Sequence, residues 1–303
     1  KCILRGNEAL INMLIIVGIL FTMGMVFGGY VIAGGKMAPI IKALPIEGMI
    51  IGGAGVGSYL VSNSSSVAKK GMKGLGHAFK GSKWKAEDYK DLLCLMFLLT
   101  KLIKSKGVIA LEPHIEEPHE SKIFNNFPKV SADHHVTDFI CDYLRMTTMN
   151  FDDPHQVEDV LLKDLEKHHH EESEGAHALS VLGESFPALG IVAAVLGIVK
   201  TMGSIDQPVE VLGAMIGGAL VGTFLGILIS YTVASPVAVK LQQVVDEEGH
   251  FFNVIKDIIV SHLHGNAPQI SVEIGRKSVP SGMQPSFYEL DEAVNELPND
   301  LLT

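Results

Sequence analysis

The sequence is short of paired cysteines, of charge and of strand patterning, and each shortage removes a class of protein. Its three cysteines, Cys2, Cys94 and Cys141, form no CxxC pair, so neither a disulfide framework nor a thiolate zinc site has the spacing it needs. Charged residues make up only 19% of the chain and the formal net charge is -10. No basic face is left to neutralise phosphates, which excludes nucleic acid as a partner. No stretch alternates apolar and polar residues at the period of a strand. The HExxH, GxSxG, GxxxxGK[ST] and GxGxxG signatures are all missing, so catalysis has no constellation to rest on and no enzyme activity or cofactor is expected. His168, His169 and His170 stand beside Glu171 and Glu172, with His134 and His135 upstream. Consecutive histidines on a helix point in different directions, so the run reads as a solvated charged helix with no metal site.

What is present is apolar. Hydrophobic residues reach 47% and the mean hydropathy is +0.29, which places the chain in a membrane before any motif is read. Residues 13–34 carry no charge over 22 positions, enough helix at about 1.5 Å per residue to cross a hydrocarbon core of roughly 30 Å. The first span is read over 13–35, behind an N-terminal segment 1–12 that reads as a leader, a remnant added ahead of Met13 or a start-site artefact. The run is too long for a signal-peptide core and lacks a cleavage site of small residues. Residues 43–61 are interrupted only by Glu47 and carry Gly52, Gly53, Gly55 and Gly57; the second span is read over 39–62. Residues 212–239 hold no charge, and the fourth span is read over 211–239. Only 15 uncharged residues, 185–199, mark the third, so a crossing over 178–200 has to include Glu184.

The polar segment 63–177 holds most of the 24 Lys and Arg, which places it in the cytoplasm by the positive-inside tendency. The loop 201–210 is then periplasmic, and the helix and tail 240–303 and both termini are cytoplasmic. The expected fold is an all-α integral membrane protein: four transmembrane helices with a large helical cytoplasmic domain between the second and third. Within it, residues 66–80 interleave four lysines with apolar residues, the pattern of a helix lying on anionic lipid or of a solvated continuation of the second span. The apolar run 92–100 is too short to cross and reads as a packed helix. Residues 241–262 extend the fourth span, and the acidic tail beyond Pro280 is mobile or a short helix.

Polar groups inside lipid are costly and are functional hypotheses by default. Glu184 and Glu47 fall near span ends, while Thr223 and Ser230, seven residues apart, share one face of the fourth span. None is a carboxylate at mid-membrane, so an ion path would take its titrating acid from a partner. A hydroxyl bonded to the carbonyl one turn back explains Thr223 equally well. Pro187 and Pro236 mark the start of the third span and the exit of the fourth; a helix end is the simpler reading and a hinge the other. Gly213, Gly217, Gly218, Gly222 and Gly226 form a small-residue stripe that lets another helix approach closely.

Several runs carry a resemblance: Val26, Phe27, Gly28, Gly29 and Tyr30; 52–58 (GGAGVGS); 186–197 (FPALGIVAAVLG); 221–226 (VGTFLG); and 267–277 (APQISVEIGRK). In order and from residue 13 onward, the chain resembles the MotA family of flagellar motor stator subunits. The resemblance implies a stator subunit of the inner membrane that couples ion flow to flagellar rotation. Five copies would surround two chains of a MotB-type partner whose aspartate binds the ion. It implies that Pro187 and Pro236 lie near that aspartate, with Glu184 on the same path, and that Thr223 faces the ions. Lys104 and Glu112 fall where the family contacts the rotor protein FliG; Lys104 stands for the family's Arg and keeps its charge without bidentate pairing. Sodium-driven relatives such as PomA place a threonine where this chain has Ala194, so the transported ion is expected to be H+ rather than Na+, a hard cation that needs oxygen ligands. The competing reading is an ExbB or TolQ type energiser, but that type has one span before its long insertion and this chain has two. Membrane lipids are the remaining partner.

Overall fold

The computed structural model describes residues 4–298 and 301. Every element among them is helical, and the chain divides into two compact units: Lys1–Gly81 with Glu171–Val245, and Ser82–His170 with Asp246–Thr303. Four helices are long and apolar enough to cross a membrane: Leu14–Ile32, Met37–Ser62, Pro154–Met202 and Val209–Leu263.

In the first unit, α1 (Leu4–Ile32) closes through Gly34, whose φ of 85° is open to glycine at no steric cost. Residues 4–12 continue that helix rather than forming a separate segment; the first three residues lie outside the described ones. Helix α2 (Met37–Ser62) stops where the Asn63 side chain takes the carbonyl of Tyr59 at 2.8 Å. A new helix, α3 (Ser65–Lys80), starts on Ser64, whose hydroxyl accepts the Val67 N–H. The lysine-rich segment is therefore not a continuation of the second span. Its Gly71 and Gly74 are buried, Gly71 against the backbone of Gly175, and Lys70 donates to the Glu171 carbonyl at 2.7 Å.

The third span is the interior of a single helix, α9 (Pro154–Met202), which runs unbroken through Pro187. Pro187 is thus not a helix end. After the loop, α10 (Val209–Ile229) passes through a π turn, Ser230–Ala234, into α11 (Ser235–Leu263). Pro236 sits just past that turn. It has no N–H for the Thr232 carbonyl and its ring would clash there, and the wider turn, with Ser235 N–H bonded to the Ser230 carbonyl, accommodates both defects.

The second unit is built around α4 (Ala86–Lys106), in which every residue from Leu92 to Thr100 is buried. Short segments surround it: a 3₁₀ turn Val108–Leu111, α5 (Glu112–Glu116), α6 (Lys122–Asn125), α7 (Pro128–Ser131) and α8 (His134–Thr148). The first part of α9, the second part of α11, α12 (Pro268–Ser278) and α13 (Phe287–Asn295) complete it. Of the two readings of the acidic tail, a short helix forms over Phe287–Asn295, where Ser286 and Glu289 cap α13 reciprocally. Trp84 stacks on Phe251 with ring centroids 3.9 Å apart, and Tyr89 meets the same ring at 5.1 Å.

Candidate functional site

The residues singled out in the spans converge on the seam between α9 and α10. There the helices touch backbone to backbone. A Cβ at Gly190 would lie 2.8 Å from the Gly222 carbonyl and 3.3 Å from the Thr223 Cα; one at Gly226 would lie 2.5 Å from the Phe186 carbonyl. Only glycine permits that approach. It brings the start of the proline site, Phe186 to Pro187, against the stretch of α10 that carries Thr223. One turn further, Gly222 meets Ala193 and the amide of Ala194, so Ala194 belongs to the same crossing.

Exposure grades along the seam. Ala194 is buried, Pro187 and Thr223 are half-buried, and Glu184 and Pro236 are exposed on this chain. Gly183 packs on Ser235, which sets Glu184 and Pro236 at one level, below the Thr223 crossing and beside the π turn. The Ser180 hydroxyl reaches Glu184 Oε1 at 3.4 Å. Ser230, expected to share the Thr223 face, is fully buried inside the π turn. Only part of the glycine stripe works within the chain: nothing lies within 4 Å of a Cβ at Gly213 or Gly217, and Gly218 would only touch Ala43.

Glu47 is placed differently from the sequence expectation. It lies ten residues inside α2, about 15 Å from the helix start, and only 7% of it is exposed. Its Oε2 occupies the space above Gly222, 2.6 Å from where a Cβ would be. So the seam has a carboxyl of its own deep within a span. The sequence signal was available as the single charge interrupting span two, but the glycine that receives it lies 175 positions away.

In the second unit Lys104 and Glu112 are both exposed, one in the last turn of α4 and the other opening α5. A surface hollow lined by Glu112, Lys106, Glu116 and Glu117 among others, but not by Lys104, carries charge of both signs. His114 in its wall holds the Ser121 hydroxyl at 2.7 Å, and burial, helped by Lys106, lowers its pKa. The histidines of the run point apart: His168 lies half-buried against Phe252, and His169 reaches Asp246 at 3.5 Å. Among the described residues no group of three or more His, Cys, Asp and Glu is arranged to hold a metal ion. Burial pushes the thiols of Cys94 and Cys141 up to about 11 and about 12, which leaves little thiolate to react at neutral pH.

Two family models match the chain: Motility protein A N-terminal over residues 16–107, and the MotA/TolQ/ExbB proton channel family over residues 131–253. Motility protein A of Escherichia coli (strain K12) is 42% identical over 287 residues, covering 95% of this chain and 97% of that one. Two solved structures share the fold. The C. jejuni MotAB structure matches with a TM-score of 0.67 at 19% identity, over 88% of this chain and 95% of that one. The flagellar MotAB stator complex from Bacillus subtilis matches with a TM-score of 0.65 at 22% identity, over 90% and 99%. On these matches the chain belongs to the MotA/TolQ/ExbB proton channel family, in its motility protein A branch.

Proposed function

We propose that this chain is the ion-conducting subunit of a flagellar motor stator, working with a MotB-type partner to turn proton flow into torque. The observation that carries the reading is the α9–α10 seam, which gathers Pro187, Ala194 and Thr223 at one glycine crossing. A partner helix carrying an ion-binding acid would find there a hydroxyl for hydration and a proline-weakened helix able to bend. Ala194 carries a methyl group where sodium-driven relatives place a threonine oxygen, a ligand of the kind that sodium needs. Proton drive follows.

The remaining parts of the reading rest on the family. Five copies surround two partner chains in the bacterial inner membrane, with both termini in the cytoplasm. Lys104 and Glu112 face the rotor protein FliG, to which their exposed, oppositely charged side chains are suited. The path works without a catalytic centre or resident cofactor. The test is co-expression with the MotB-type partner in a stator-less strain and recording of tethered-cell rotation. Rotation that stops when the proton gradient is collapsed, and continues without sodium, supports the reading. Dependence on sodium overturns the ion assignment, and no rotation in any condition overturns the stator assignment.

A further inference from the structure

A cavity of about 500 Å³ opens between α2, α9 and α10 at the end of the span bundle that carries the two short loops. Glu47 lies on its wall with Ala43, Ala193, Gly218 and Ala219. At roughly 30 Å³ per molecule the space has room for about 17 waters. Three further charged groups line it: Lys36 and Lys42 from the start of α2, and Lys200 from the end of α9. The α10 wall contributes Ala214, Met215, Gly218 and Ala219 and no titratable group.

Glu47 is nine-tenths buried, yet its Oε2 has no hydrogen-bond partner among the described residues. An orphan carboxyl inside a span is costly, and a leucine would fill the same space without that cost. Its position gives it a use. On one side it faces the cavity; on the other its Oε2 lies over Gly222, whose neighbours are the Ala194 amide and Thr223. A carboxyl that borders a cavity on one side and a helix crossing on the other is placed to take a proton from the first and release it to the second.

We propose that Glu47 is a proton-relay acid of this chain, loading protons from the cavity into the α9–α10 seam. This rests on the stator reading above. In the step, hydronium in the cavity gives its proton to the Glu47 carboxylate, leaving water. The carboxyl then passes the proton to water beside Thr223, and the carboxylate is restored. The net change is one proton moved from the cavity to the seam, where the partner's acid receives it.

The test uses the assembled complex with its MotB-type partner in liposomes, with proton uptake followed by an internal pH dye under an imposed potential. Glu47→Gln keeps the size and removes the titrating group; uptake falls by about 100-fold or more with complex yield unchanged, while Glu47→Asp keeps part of the rate. In parallel, infrared difference spectra between acid and neutral pH show a carboxyl C=O band that is lost in Glu47→Gln and displaced in Glu47→Asp. Uptake by Glu47→Gln at the parent rate overturns the proposal, and so does a spectrum with no Glu47 band. If the parent complex moves no protons at all, the stator reading fails, and the infrared band still decides whether Glu47 exchanges protons with the cavity.

Discussion

In the membrane unit helices meet through hydrogen atoms and methyl groups: Gly190 on Gly222, Gly226 on the Phe186 carbonyl, Gly197 on Ala219. In the second unit they meet through rings and long aliphatic chains, with Trp84 stacked on Phe251 and Leu92, Leu95 and Met96 wholly inside. The difference follows from the solvent. Lipid tails are as apolar as leucine, so moving a large side chain from lipid into a helix interface gains little, and close backbone approach holds the spans. In water the same side chain is driven inward at about 25 cal/mol per Å². Large apolar residues such as Leu20, Phe21 and Val199 accordingly lie exposed on the spans.

The comparison can be broken most severely at the seam. Gly190→Val places a branched side chain against the Gly222 carbonyl, and the expected result is no assembled complex on size exclusion and no rotation. Gly213→Val, where the space is open, should assemble within its own chain and serves as the control. Next in size is Pro236→Ala, which restores a donor for the Thr232 carbonyl and removes the reason for the π turn. Assembly should survive while rotation in tethered cells falls steeply, because the defect that lets the helix bend is gone. In the second unit Phe251→Ala should cost about 3–5 kcal/mol, read as an earlier denaturant midpoint by Trp84 fluorescence, with the seam intact.

The smallest effect concerns pH. Burial lowers the His114 pKa from its ordinary value near 6.5, so the folded state holds the ring neutral. Its contribution is present above the unfolded value and is lost as pH falls through the folded one. His114→Gln should flatten that part of the stability curve and leave rotation at neutral pH unchanged.

Much of the architecture is written in charge alone. Uncharged runs located four spans, each of which is a helix long and apolar enough to cross a membrane. The run at 92–100, too short to cross, is the buried centre of the second unit. Other features were not legible for definite reasons. The junction near His177 looks like a boundary because composition changes there, but a helix satisfies its own backbone and has no need to break where its surroundings change. The π turn is a three-dimensional answer to Pro236 that no residue spells out. Glu47 reads as an end-of-span charge until Gly222 is seen to leave room for it, and Gly213 and Gly217 look identical to the glycines that do pack.

Helix α9 contributes residues 154–170 to one unit and 171–202 to the other without interruption. Each residue of an α-helix advances about 100° around the axis. One residue inserted after Gly183 would therefore turn Gly190 and Gly197 away from Gly222 and Ala219 while Gly175 and Gly183 keep their contacts, and two would point them to the opposite side. The helix fixes the phase of every glycine along its membrane part. Length changes in this protein's lineage should consequently fall in loops such as 203–208, while the stretch 171–202 keeps its residue count however far its letters drift.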